Sequence, residues 1–221
     1  MKLFLNCWLL DGLYKKIMTE NKTELLIATK NAGKIKELKE LLIDLPIQIR
    51  CLNEFPSITE PEETGATFAD NAILKAKYYA LQTKLWALAD DSGLEVEALN
   101  GAPGVFSARY AGENAAADEK IEKLLEELNN IKDRRAGFVC AMAIADKTGE
   151  IKFIADGVCY GTIALTASGA NGFGYDSIFI PDGFSQTFGE LSDQVKQKIS
   201  HRARATEKII QHLRRFYAAS T

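Results

Sequence analysis

The chain is poor in histidine, has no paired cysteines and carries no excess of positive charge. Only His201 and His212 occur among its 221 residues, which excludes a multi-histidine metal site. The four cysteines (Cys7, Cys51, Cys140, Cys159) are scattered, with no C-x-x-C spacing. Neither a zinc cluster nor a disulfide framework is indicated, and a reducing cytoplasm fits. The formal net charge of -3 offers no basic field to hold a nucleic-acid polymer. Any phosphate must therefore be met by a local cluster. No apolar run is long enough to span a membrane. The first ten residues resemble a signal peptide only in outline. The apolar stretch is short, Asn6 interrupts it, and no small-residue cleavage site follows. Residues 1–21 read as a poorly ordered N-terminal extension, or as sequence upstream of a start near Met18, and 22–221 as a single domain of two lobes.

What is present is an ordinary globular composition, 47% hydrophobic and 26% charged, with several stretches that carry chemistry. Leu85 to Ala89 form a short apolar run that ends in Asp90, Asp91, Ser92 and Gly93. That predicts a buried strand delivering two acids and a hydroxyl to the rim of a sheet, where ligands of open α/β sheets bind. Adjacent carboxylates repel, so the fold is expected to supply a cation or to leave one of them protonated. The same residues are also ordinary turn formers.

Glu24 to Ala28 predict another buried strand. Thr29-Lys30-Asn31-Ala32-Gly33-Lys34 follows, then Ile35, Leu38, Leu41 and Leu42 at helical spacing. A strand, a small-residue loop and a helix start point backbone N–H groups at an anion. The loop departs from a Walker A motif, because Ala28 replaces the first glycine and Ile35 replaces the magnesium-binding hydroxyl. It reads as a phosphate loop of another kind, or as a plain strand-to-helix turn.

Ile47 to Leu52 predict an edge strand. Thr67 is placed to cap a helix carrying Ala69, Ile73, Ala76 and Ala80 on one stripe, with Lys75 and Lys77 on different faces. Glu62 and Glu63 read either as a solvated loop pair or, near Asp91, as part of a magnesium site of carboxylates and waters. Leu94 to Leu99 alternate as a strand. Gly101 to Tyr110 form a loop with rigid punctuation around Ser107 and Arg109. Ile121 to Leu128 mark an amphipathic helix. Phe138–Ala145, Ile151–Ala155 and Val158–Leu165 predict an antiparallel meander, with Ile178 to Pro181 as a further strand. In Gly172-Phe173-Gly174-Tyr175-Asp176, glycines flank an aromatic, so the backbone can pass close to a flat ligand. Phe173 or Tyr175 could stack on a base, and Asp176 could accept from it; a glycine-rich hairpin loop has the same composition. Ser200-His201-Arg202 opens a helix expected over residues 203–217.

Together these stretches resemble the inosine triphosphate pyrophosphatase family of non-standard purine NTP pyrophosphatases. The matching pieces are Thr29–Lys34, Glu62–Gly65, Phe68–Lys77, Ala89–Leu94, Gly101–Tyr110, Gly172–Asp176 and Ile199–Arg202, in the family's order. The resemblance implies an α/β fold with an elongated central mixed β-sheet flanked by helices, and two lobes with an active-site cleft between them. It implies a homodimer, and Mg2+-dependent hydrolysis of ITP, dITP and XTP to the monophosphate and pyrophosphate. By motif matching, Asp91 is the proton acceptor and a metal ligand, and Ser92 touches substrate. Thr29, Lys30, Asn31, Ala32, Gly33 and Lys34 hold the triphosphate, and Lys75 reaches phosphate. Phe173, Gly174, Tyr175, Asp176, Lys196, His201 and Arg202 surround the nucleotide. A second metal ligand comes from the glutamate pair, with Glu62 favoured and Glu63 open. The alternatives are a Maf-like pyrophosphatase for other modified or pyrimidine triphosphates, and a nucleotide sensor without turnover.

Overall fold

The computed structural model describes residues 23–219, with side chains through residue 215. The extension expected over residues 1–21 lies outside them. Six strands form one mixed sheet: β1 (Thr23–Ile27), β2 (Ile47–Cys51), β3 (Trp86–Val96), β4 (Arg135–Ala145), β5 (Ile151–Ile163) and β6 (Phe179–Pro181). Their order is β2-β1-β3-β4-β5-β6. The first three strands are parallel, and β3 to β6 run antiparallel; the expected meander is present as the β4–β5 pair, to which β3 and β6 add on either side. The helices are α1 (Ala32–Leu41), α2 (Phe68–Thr83), α3 (Ala117–Glu127), α4 (Asp193–Ile199) and α5 (His201–Ala219). The edge strand and the Thr67 cap stand as expected, the Thr67 side chain accepting from the Asp70 N–H. No helix among the described residues is long and apolar enough to cross a membrane.

Strand alternation sorts the core. Leu88 faces Leu25, Ile27, Cys140 and Met142, under Leu38 of α1 and Ala205, Ile209 and Leu213 of α5. Ala87 and Ala89 face the opposite way, with Ala141 and Ala143, against Ala72, Ala76 and Tyr79 of α2. The small residues let that helix lie close on the sheet. A third cluster gathers at the far ends of the long strands, where Leu94, Val96, Phe138 and Ile163 pack on Leu124 of α3 and on Phe179 and Phe188. The long strands thus serve two lobes.

Three expectations are corrected. Strand β3 does not end at Asp90 but runs on to Val96, because Asp90 to Val96 stay paired with Met142 to Ala136. The alternation expected to Leu99 stops at Val96, where a 3-10 turn takes over. The two segments expected either side of Ala155 are one strand, held in register by β4 through Asp156 and Gly157. The short helix α4 was not foreseen, and α5 begins at His201, two residues earlier than expected.

Candidate active site

The acids of β3 lie where its other neighbour has stopped. Strand β1 pairs with Trp86 to Leu88 only, and the Ala28 N–H makes the last bond, to the Leu88 carbonyl. Beyond Leu88 one edge of β3 is open at the carboxyl end of β1, so the expected rim exists beside the strand and not at its end.

Alternation also separates the acids onto opposite faces, and the fold supplies each with a cation, as expected. Asp90 and Ser92 point to the α5 face, and Asp91 points to the α2 face. Asp90 is fully buried and meets cations there. Its Oδ2 accepts from Arg202 Nε at 3.2 Å and Nη2 at 3.1 Å, and lies 3.3 Å from Lys34 Nζ. Burial pushes this carboxyl up, but Lys34 and Arg202 outweigh it and hold it well below the usual carboxylate range. Arg202 also donates to Ser92 Oγ at 2.8 Å and pairs with Glu37. A buried guanidinium with several acceptors of this kind is rigid, and losing one partner strands the rest.

On the other face Lys75 links two acids, donating to Asp91 Oδ1 at 2.8 Å and to Glu63 Oε1 at 2.9 Å. Burial raises the Asp91 carboxyl above its ordinary value against the pull of Lys75 and Lys34, and Glu63 adds to the rise. Asn71 fixes the other Asp91 oxygen. Its Nδ2 donates to Oδ2 at 3.1 Å, and its own oxygen accepts the Gly65 N–H at 2.8 Å. Asn71 therefore ties the proton-accepting candidate to the loop that carries Glu63. Glu63 lines the cleft, whereas Glu62 is exposed and does not. The structure thus brings Glu63, not the favoured Glu62, to Asp91. Lys75 lies between these two carboxylates, and Arg109 Nη1 lies 3.8 Å from Glu63 Oε2; their oxygens are of the kind a magnesium ion takes, one or two carboxylates with water and phosphate oxygens completing the shell.

The phosphate loop is built as the sequence suggested. Asn31 caps α1, its oxygen accepting the Lys34 N–H at 3.1 Å, and its own N–H donates to Thr29 Oγ1 at 3.2 Å. The cap leaves the first-turn N–H groups, those of Ala32 and Gly33 among them, at a helix start that favours anions. Lys30 pairs with Glu60 across the mouth at 3.3 Å. Gly33 has no room for a side chain, since a Cβ there would lie 2.4 Å from the Phe173 ring.

Phe173 faces two cations, Lys196 Nζ at 4.7 Å and the Arg202 guanidinium at 5.7 Å from its ring centre. Lys196 is itself buried between Asp176 Oδ2 at 2.5 Å and Glu37 Oε1 at 2.8 Å. Burial raises the Asp176 carboxyl, with Lys196 opposing. Asp176 also accepts the Phe173 N–H at 2.7 Å, which holds the loop closed. Gly172 has a φ of +74°, and a Cβ would meet Asp176 Oδ2 at 2.1 Å, so glycine is required there. Of the two aromatics, Tyr175 is engaged in packing: it is buried, and its hydroxyl donates to the Ser107 carbonyl at 3.0 Å. His201 stacks on Phe138, ring centres 4.8 Å apart. Burial, with Arg202 and Lys196 nearby, keeps it neutral by pushing its pKa well below the usual value. Among the described residues its Nδ1 has no hydrogen-bond partner.

These groups line one cleft of about 560 Å³. It brings together Thr29, Lys30, Asn31, Lys34, Glu63, Lys75, Asp91, Ser92, Phe173, Gly174, Tyr175, Asp176, Lys196, His201 and Arg202. Ala32 and Gly33 belong to the helix start beside it, and Gly33 lines an adjoining pocket of about 240 Å³ on the α1–α4 side. Sequence reasoning gave no role to Asn71, Glu37 or Lys120. Asn71 stood in a quoted motif, and its signal was a polar residue beside an apolar helix stripe. Glu37 looks like any solvated helix glutamate.

The fold and the cleft define an α/β protein whose helix-start loop, lysines and buried carboxylates are suited to phosphate esters. The chain belongs to the Ham1 family, whose model matches residues 25–212. It is 46% identical over 193 residues to a dITP/XTP pyrophosphatase of Bacillus cereus, covering 86% of this chain and 94% of that protein. A dITP/XTP pyrophosphatase of Desulforamulus reducens is 48% identical over 196 residues, with 88% and 97% covered. Among solved structures, a HAM1 protein from Coxiella burnetii matches with a TM-score of 0.80 at 46% identity, covering 87% of this chain and 99% of that one. A nucleoside-triphosphatase, dITP/XTP pyrophosphatase, from Mycobacterium abscessus matches with a TM-score of 0.69 at 39% identity, with 85% and 98% covered.

Proposed function

We propose that this chain hydrolyses non-standard purine nucleoside triphosphates (ITP, dITP and XTP) to the monophosphate and pyrophosphate, removing them from the nucleotide pool. The observation that carries the reading is the Asp91–Lys75–Glu63 group in a cleft that also holds a helix-start phosphate loop. Relatives at this identity named dITP/XTP pyrophosphatases support the substrate class. The proposal extends to a cytoplasmic homodimer, as the resemblance implies.

In this reading water attacks the α-phosphorus, the bond from that phosphorus to the α–β bridging oxygen breaks, and pyrophosphate leaves with that oxygen. Asp91 is the proton acceptor, because burial makes it more basic than a free carboxylate. Asn71 and Lys75 fix its two oxygens and so the direction from which it accepts the water's proton. Asp91 and Glu63 would hold Mg2+, which when bound supplies neutralisation of phosphate charge and Lewis-acid polarisation. Lys34 and Lys75 exchange a carboxylate partner for phosphate oxygens, offsetting the negative charge that moves onto the leaving pyrophosphate. Phe173 offers a face to the purine. Hypoxanthine and xanthine present a 6-oxo acceptor and adenine a 6-amino donor. The donors Lys196 and Arg202 beside Phe173 would pair with the former and face an unmatched donor in the latter.

The test is pyrophosphate release from ITP, dITP, XTP, GTP, ATP and dTTP, with Mg2+ and with EDTA. Strong release from the first three, abolished by EDTA and by Asp91→Asn, is the expected result. Glu63→Gln should raise the Mg2+ requirement about tenfold or more, while Glu62→Gln stays near wild type. Release only from pyrimidine triphosphates, or nucleotide binding without turnover, would replace the reading by the Maf-like enzyme or the sensor.

A further inference from the structure

Among the described residues, the cations that line the cleft are, with one exception, already paired with carboxylates. Lys30 pairs with Glu60, Lys34 with Asp90, Lys75 with Asp91 and Glu63, Lys196 with Asp176 and Glu37, and Arg202 with Asp90 and Glu37. Lys120 also lines the cleft, from the first turns of α3 in the second lobe. Its ammonium donates to the Ala108 carbonyl at 3.1 Å. Among the described residues no carboxylate pairs with it.

A carbonyl orients an ammonium without cancelling its charge. The other cleft cations must give up a carboxylate to take a phosphate oxygen, so their gain is reduced by the bond lost. Lys120 gives up no charged partner, so its attraction for phosphate is reduced by solvent screening alone. It also stands on the second-lobe wall, while the phosphate loop and Lys75 belong to the first. A lysine suits phosphate as a point charge that needs no fixed plane.

We propose that Lys120 is a further substrate-binding residue, contacting the triphosphate from the second lobe. The proposal rests on the pyrophosphatase reading for its substrate, so the test measures binding apart from turnover. Calorimetric titration of the full chain with inorganic pyrophosphate compares wild type, Lys120→Met, Lys120→Arg and Lys123→Met. Lys123 lies on the same helix, pairs with Glu127 and donates to the Tyr110 carbonyl. It serves as the control for general charge.

Lys120→Met should weaken pyrophosphate binding about tenfold, with a similar rise in KM for ITP and little change in kcat. Lys120→Arg should restore most of both, and Lys123→Met should leave both in place. Unchanged binding in Lys120→Met would overturn the proposal, as would equal losses in Lys120→Met and Lys123→Met. Failure of the wild type to release pyrophosphate would instead remove the pyrophosphatase reading, and the binding comparison would still decide the role of Lys120.

Discussion

His201 shows how one buried group couples stability to pH. Its imidazole is stacked on Phe138 and held neutral by burial and by Arg202 and Lys196. The unfolded chain takes a proton near pH 6.5, and the folded chain does not. Below that value the unfolded state binds more protons, so stability falls as pH falls. The contribution is complete above about pH 6.5 and drops by at most about 1.4 kcal/mol per pH unit below it. His201→Phe keeps the ring stack and removes the proton. Denaturant titrations between pH 7.5 and 5.5 should therefore show a shallower loss for the variant than for wild type. Parallel slopes would show that His201 is not held neutral. The sequence marked this residue but not its state, because burial is a property of the whole packing. The glutamate favoured from the resemblance, Glu62, is likewise not the one that faces the cleft; Glu63 is. Neighbours in a loop without regular structure have no period to say which one faces the cleft; Lys75 holds Glu63 there, and Asn71 accepts the Gly65 N–H just beyond it.

Among elements, β3 carries the most information. The apolar run, the acids and the glycine were legible, but the strand's length was not, since Asp, Ser and Gly are turn formers whose local preference is overridden by β4 pairing. With the strand continued, alternation at once places Asp90 and Asp91 on opposite faces. The turn over Gly104–Arg109 packs on that strand. Ser107 is buried there; its Oγ accepts the Leu94 N–H at 2.9 Å and lies 2.6 Å from the Gly104 carbonyl, to which it donates. Gly93 makes room, because a Cβ would lie 2.3 Å from that oxygen. Ser107→Ala strands a buried N–H and should cost about 1–3 kcal/mol, read as a lower denaturation midpoint with an unchanged slope. A loss below a few tenths would contradict the contacts. The sequence flagged Ser107 by its rigid neighbours; only the structure shows that it locks a strand and that Tyr175 leans on the same turn.

Over the whole molecule, two lobes share β3, β4 and β5, and their chemistry meets where β1 ends. The phosphate loop, Lys75 and the carboxylates belong to one side, and Lys120 and the Ser107 turn to the other. The overall architecture was legible because helical and strand periods are long-range averages over many residues. The buried network of Glu37, Lys196, Arg202 and Asp90 was not, because its members lie far apart in the chain and each resembles a solvated charge when read alone. The central claim is that this cleft directs water to the α-phosphorus of a purine triphosphate. Hydrolysis of ITP in heavy-oxygen water, followed by phosphorus NMR and mass spectrometry, tests it most directly. Inosine monophosphate and pyrophosphate are expected in equal amounts, with the heavy oxygen in the monophosphate. Inosine diphosphate with orthophosphate, or heavy oxygen in the pyrophosphate, would contradict it.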